Sequence, residues 1–276
     1  MAKAEELKTL IDQYDYMDTH AHINDEPLLE QADFIIQLCE QNKVIINNAG
    51  AMIQDSITGV NQAKKYKNVF AMIGYHPYYI SYNPDCLNNP DEICEQIERI
   101  YLENRNYVLC IGEIGLEKTN DEKLYNAQKE TFIKLLALAR KYNLAVNLHV
   151  RDAHDDAIKI LKEHGKGLRM IAHCFALGIK QAQDYLNCGC FIAFNGIITF
   201  EKKNDDILAA VPHIPHDRIL IETDCPFLTP VPYRGKQNNP SYIKFVFKKL
   251  ASLYQMNEED LKQQLKKNAI KAFFGD

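Results

Sequence analysis

The chain has 276 residues, 46% apolar and 25% charged, with a mean hydropathy of −0.32; this is globular composition, and no apolar run nears the roughly 20 residues that cross a bilayer as a helix. Thirty-two Lys and Arg against 37 Asp and Glu give a formal net charge of −5, which argues against coating duplex DNA by bulk electrostatics but not against holding a strand end at a local cationic site. Glu5 and Glu6 stand where a secretory signal needs a basic patch, and the eight cysteines are scattered without a CxxC pair, so a cytoplasmic or nuclear setting with free thiols is expected.

In chain order, eight short apolar or β-rich runs appear at residues 16–22, 44–49, 69–74, 107–112, 144–149, 169–173, 190–195 and 219–224. Segments of helical period separate them. Ile93, Ile97, Ile100 and Tyr101 form one stripe; Phe132, Leu135, Leu136 and Ala139 another; Ala157, Ile160, Leu161 and His164 a third. Ile243, Val246, Phe247 and Leu250 repeat the pattern, and Asn257 with Glu258, Glu259 and Asp260 opens a last helix. A strand about every 30 residues is the size of one βα unit, and eight such units make a (β/α)8 TIM barrel of about 250 residues. An α/β chain of one domain over residues 1–276 is expected, and a monomer. A doubly wound open sheet would read similarly, but no GxGxxG or GxxxxGK[ST] loop follows the first strand.

The first run ends in Asp18-Thr19-His20-Ala21-His22, whose period of two puts Asp18, His20 and His22 on one face. A lone HxH is common by chance. Four further runs, however, end in a side chain able to bind metal: Glu113, His149, His173 and Asp224. In a barrel these carboxyl ends open onto one mouth, where active sites of the fold sit. Four histidines and two carboxylates exceed the four ligands of one tetrahedral zinc, so two divalent ions are expected, Zn²⁺ or Mn²⁺ by ligand type, with Mg²⁺ usable. Asp224 is the natural proton acceptor for water at that mouth. Arg151 could clasp a phosphate, with Arg234 and Lys236 reaching in from the loop of residues 229–240. His76 is expected to line the mouth as a substrate contact without being a ligand. Asp18 and Glu222, two residues deeper than ligands, are expected to orient imidazoles. Tyr78, Phe175 and Tyr233 are candidates for base stacking, while Cys174 and Cys225 should point away from the mouth.

Asp18-Thr19-His20-Ala21-His22, Gly74-Tyr75-His76-Pro77, Gly112-Glu113-Ile114-Gly115-Leu116, Leu148-His149-Val150-Arg151, His173-Cys174-Phe175 and the run from Glu222-Thr223-Asp224-Cys225-Pro226 to Tyr233-Arg234-Gly235-Lys236 resemble the TatD family of metal-dependent deoxyribonucleases. The likeness runs in order from about residue 16 to the C-terminus. It implies a metallohydrolase barrel in which His20, His22, Glu113 and Asp224 bind one ion and Glu113 bridges to a second held by His149 and His173. It implies hydrolysis of DNA phosphodiesters, commonly as a 3′-to-5′ exonuclease on single strands or strand ends, with D-aminoacyl-tRNA esters as another described substrate. Glu117-Lys118 departs from the family's usual Asp and aromatic, and Ala176 replaces a frequent hydroxyl residue. Two rivals remain: a hydrolase of amides or lactones on the same barrel, although Glu113 stands where many of those carry a modified lysine, and a metal-binding protein without catalysis.

Overall fold

The computed structural model describes residues 3–82, 88–200 and 205–275; Cys86 lies outside these. Strands buried on both faces read as continuous apolar runs, and the eight described strands are such runs: β1 Tyr16–Ala21, β2 Val44–Asn48, β3 Val69–Ile73, β4 Val108–Glu117, β5 Ala145–Arg151, β6 Met170–Ala172, β7 Phe191–Phe194 and β8 Ile219–Ile221. They pair in parallel in sequential order. The two ends of the sheet meet where Thr19 Oγ1 donates to Ile221 O at 3.0 Å, Asp224 N to His20 O at 2.9 Å and His22 N to Cys225 O at 3.0 Å. The result is the (β/α)8 barrel read from the sequence.

The described helices are α1 Lys3–Leu10, α2 Ala32–Gln41, α3 Ile53–Lys65, α4 Pro77–Tyr82, α5 Pro90–Asn104, α6 Glu122–Tyr142, α7 His154–His164, α8 Ile179–Asn187, α9 Asp205–Ala210, α10 Ile243–Tyr254 and α11 Glu258–Phe274. Their starts are written in the chain. Asn89 accepts from Asp91 N and Glu92 N ahead of Pro90, Asp121 from Leu124 N, and Asn257 from Glu259 N. The apolar stripes of α5, α6, α7 and α10 pack onto the outer faces of the strands. Inside, Met17, Ile45, Phe70, Leu109, Ile171, Phe191 and Leu220, all near strand starts, share a cluster with Leu7, Ile11, Ala269 and Phe273. The terminal segments therefore floor the barrel at its amino end, leaving the carboxyl end open.

Several strand ends differ from expectation: β8 stops at Ile221, three residues short of Asp224, and β5 runs on to Arg151. β4 runs past Gly112 to Glu117, pairing Gly115 with His149 and Glu117 with Arg151 after a register shift between Ile111 and Ile114. Gly112 and Gly115 break the apolar pattern, so the sequence reads as an end; in space, absent side chains let β4 press against its neighbour. A Cβ on Gly112 would crowd Asn147 at 2.7 Å.

Candidate metal centre

Six side chains from five strand ends converge at the open mouth. β1 and the residue after it supply His20 and His22, β4 supplies Glu113, β5 supplies His149, and His173 and Asp224 follow β6 and β8. Glu113 organises them, because its two oxygens face different partners. Oε2 lies 3.5 Å from His20 Nε2 and 3.6 Å from His22 Nε2. These two nitrogens are 3.0 Å apart and stand 3.8 and 3.7 Å from Asp224 Oδ1. An ion with tetrahedral ligands about 2.05 Å away has ligand-to-ligand edges of about 3.3 Å, so the four atoms are spaced as corners around one ion. Oε1 lies 2.7 Å from His149 Nδ1, 2.9 Å from His173 Nε2 and 3.5 Å from His76 Nε2. That is a second point of convergence.

The hydrogen bonds behind these atoms show which nitrogens present lone pairs. His20 Nδ1 lies 3.0 Å from Asn147 Oδ1, an acceptor, so that nitrogen carries the hydrogen and Nε2 is left bare. His173 Nδ1 lies 3.3 Å from Glu222 Oε1 without a hydrogen bond of good geometry, so there the carboxylate's charge alone favours the hydrogen on Nδ1. Where these nitrogens are neutral and bare, they and the carboxylate oxygens repel one another unless a cation sits among them; at His149 and His173 a proton shared with Glu113 Oε1 takes the place that an ion would. Both points therefore fit a divalent ion.

Ionisation follows the same layout. Burial pushes His22 down to about 3, with His20 adding to it. Burial lifts Asp224 to about 6 against the pull of His173 and His20. Burial would also lift Glu113, but His76, His173, His20 and His149 around it outweigh that and hold the carboxyl well below its usual range. His173 is pushed down by burial and raised further by Glu113 and Glu222, ending well above an ordinary histidine.

The supporting carboxylates divide. Glu222 faces His173 as expected, and accepts from Cys174 N at 2.6 Å and Asn195 Nδ2 at 3.3 Å. Asp18 is a correction: it reaches no imidazole among the described residues. It accepts from Thr223 N at 2.9 Å, from the Thr223 hydroxyl and from His20 N at 3.2 Å. Its role is to lock the β1 ligand strand to the segment carrying Asp224, and Asn147 holds the His20 ring instead.

A cavity of about 730 Å³ opens above, lined by His22, His76, Glu113, His149, His173 and Asp224 together with a wider wall. That wall includes Tyr78, Phe175, Phe227, Arg151 and the carboxylates of Asp25, Glu26, Glu117 and Asp152.

Residues 17–274 match the family described as TatD related DNase. The chain belongs to that family.

Relatives of this TatD chain include the uncharacterized metal-dependent hydrolase YabD of Bacillus subtilis, 35% identical over 260 residues, covering 93% of this chain and 98% of YabD. The uncharacterized metal-dependent hydrolase YcfH of Escherichia coli is 33% identical over 210 residues, 76% of this chain and 75% of its own. Among solved structures, YjjV, a TatD homologue of Escherichia coli, superposes with a TM-score of 0.85 at 26% identity, over 94% of this chain and 98% of YjjV. This TatD chain is a metal-dependent hydrolase, and among its described residues no helix is long and apolar enough to cross a membrane.

The remaining sequence candidates of the TatD barrel are placed as follows. His76 sits nearer the ligands than a rim residue would, its ring 4.0 Å from that of His149. Arg151 lies at the cavity wall, and its ion-pair partner is Glu117 at 3.9 Å. Arg234 does not line the cavity; its guanidinium packs 4.0 Å over the ring of Phe200, which follows the turn Gly196–Thr199 after β7. Lys236 lies over Tyr233 in the same way, and Tyr233 stacks on Tyr242. Tyr78 is exposed at the mouth, whereas Phe175 is 4% exposed and packed between Tyr185 and Phe194. Cys225 is buried as expected, but Cys174 contributes to the cavity wall. Sequence reasoning passed over Asn147 and Thr223 as site residues. Asn147 had left a signal, a polar residue inside an apolar run and two positions before a ligand.

Proposed function

We propose that this TatD enzyme hydrolyses phosphodiester bonds of DNA at strand ends, releasing nucleotides from the 3′ end with water activated at two divalent ions, Zn²⁺, Mn²⁺ or Mg²⁺. The observation that carries the reading is the splayed Glu113 carboxylate, with one oxygen among His20, His22 and Asp224 and the other between His149 and His173. Two ions held there supply an acidified water and charge stabilisation for the attacking and leaving oxygens of an in-line displacement. The chain's own groups do the rest. Glu113 sets the spacing of the centre, Asp224 takes the proton of the attacking water and returns it to the leaving 3′ oxygen, and Arg151 holds a non-bridging phosphate oxygen. Phe227 is 62% exposed and Tyr78 45%, and both line the cavity. Rings left in water beside reacting atoms are stacking surfaces for terminal bases.

The test is a metal-depleted sample, resupplied in turn with Mg²⁺, Mn²⁺ and Zn²⁺, on single strands labelled at the 3′ or the 5′ end. Early loss of the 3′ label as mononucleotide supports the reading; intact strands with every ion overturn it. A second reading has one observation in its favour: Asp25, Glu26 and Asp152 on the wall suit an ammonium group. An aminoacyl ester such as D-aminoacyl-tRNA would supply one, and its cleavage by a sample inert on DNA would select this reading.

A further inference from the structure

A histidine that gives a lone pair from one ring nitrogen must, when neutral, carry its hydrogen on the other, and a buried N–H without an acceptor is costly. His149 Nδ1 lies 2.7 Å from Glu113 Oε1, a hydrogen bond in which the carboxylate accepts; an ion held between the two would take the Nδ1 lone pair and move the ring hydrogen to Nε2. Its Nε2 is buried. The group facing that nitrogen is Glu117, with Oε2 at 3.4 Å.

The fold fixes Glu117 there by several independent devices. β4 continues past the ligand Glu113 and brings Glu117 beside Arg151 in register. Glu117 N donates to Gln128 Oε1 at 2.9 Å, and Gln128, fully buried on α6, donates to Ser81 Oγ at 2.6 Å. The Tyr82 hydroxyl donates to the next carbonyl, Lys118 O, at 2.8 Å. The Glu117 side chain is itself only 14% exposed, and its other oxygen lies 3.9 Å from Arg151 Nη1. Glu117 is the carboxylate that faces His149 Nε2, with the His76 ring the other side chain gathered there.

We infer that Glu117 is a positioning residue: it accepts the His149 Nε2 proton, fixes the tautomer that turns Nδ1 to the second ion, and links that ligand to Arg151 at the cavity wall. Carboxylate partners of metal-binding imidazoles raise ligand basicity, and losing one commonly costs 10- to 100-fold in metal affinity. Glu117 does this for the second ion alone, since His20 is held by Asn147 and His173 by Glu222. The longer Glu in place of the family's usual Asp keeps the carboxylate while extending its reach toward Arg151.

The inference rests on the two-ion reading of the cavity, and its test is a binding measurement independent of substrate. Metal-free protein is titrated with Zn²⁺, the step lost in His149→Ala marking the second ion. Glu117→Ala should weaken that step by roughly 10- to 100-fold and leave the other in place, with Glu117→Gln intermediate and Glu117→Asp nearest the wild type. In zinc-loaded protein labelled with ¹⁵N-histidine, the His149 Nε2 proton should be observed, and should lose its downfield shift and exchange protection in Glu117→Ala. Unchanged binding of both ions in Glu117→Ala, equal loss of both, or a His149 hydrogen on Nδ1 in the loaded wild type overturns the assignment. A wild type taking up a single zinc refutes the two-ion reading instead, and the Nε2 resonance in that sample still decides whether Glu117 is the acceptor.

Discussion

Gly115 on β4 lies against the backbone of His149 on β5 so closely that a Cβ at residue 115 would overlap the His149 carbonyl oxygen. The contact is between backbones, which cannot rotate away as a side-chain tip can. Gly115→Ala should cost about 1–3 kcal/mol of stability, the usual price of overpacking. It should also loosen the ion that His149 serves before the one that His20 serves. Urea unfolding and zinc titration on the same preparation check both parts; wild-type values for both would show that the strands part freely.

His20→Ala and His149→Ala should each remove a different ion, because Glu113 presents separate oxygens to the two histidines. Elemental analysis after loading is expected to give more than one ion per chain in the wild type and one fewer in each variant. Identical spectroscopic changes in the two variants with Co²⁺ as probe would mean a single mononuclear cluster.

Asp224→Asn preserves an oxygen of similar size while removing the proposed proton acceptor and one charge. At saturating metal, kcat should fall at least about 10²-fold, the lower end of what a general base contributes. Metal content should fall much less. Turnover near that of wild type in a fully loaded sample would leave Asp224 as ligand only.

Arg151→Ala should raise KM for short single strands by roughly tenfold with a smaller change in kcat, as loss of one charge-assisted phosphate bond would. Arg234→Ala should change KM by less than about twofold, since its guanidinium is occupied on Phe200. Steady-state kinetics on both variants decides, and the reverse ranking would return the role to the loop.

Asp55 on α3 is 5% exposed, and burial, followed by the charge of Asp25, lifts its carboxyl from 3.8 to about 6. The folded value is thus above the unfolded one, so between about pH 4 and 6 the unfolded chain holds fewer protons and stability falls as pH rises through that window. Asp55→Asn should therefore stabilise the protein at about pH 8 by about 1–3 kcal/mol relative to its effect at about pH 4. Chemical denaturation at the two pH values measures it, and a pH-independent difference would mean the buried carboxyl is already satisfied.

The amino-acid sequence by itself determined the eight strands, the apolar stripes of α5, α6, α7 and α10, the opening of α11 and the six side chains near the strand ends, because each depends on neighbours within one turn or one strand; α2, α3, α8 and α9 emerged only in the structure. The apolar runs of Val44–Asn48 and Val69–Ile73 and the cap at Asn257 are of this local kind. The roles of the residues around those side chains were decided only in three dimensions. Asp18 and Glu222 occupy the same place in the sequence pattern, yet Asp18 is drawn to Thr223, 205 residues away, while Glu222 faces His173. Arg151 and Arg234 are equally cationic on paper, but one meets Glu117 and the other Phe200. A hydrogen bond or a stacked ring is a contact over a few ångströms with a fixed direction, and barrel closure selects those partners from distant parts of the chain. Periodicity along the sequence carries no information about that choice.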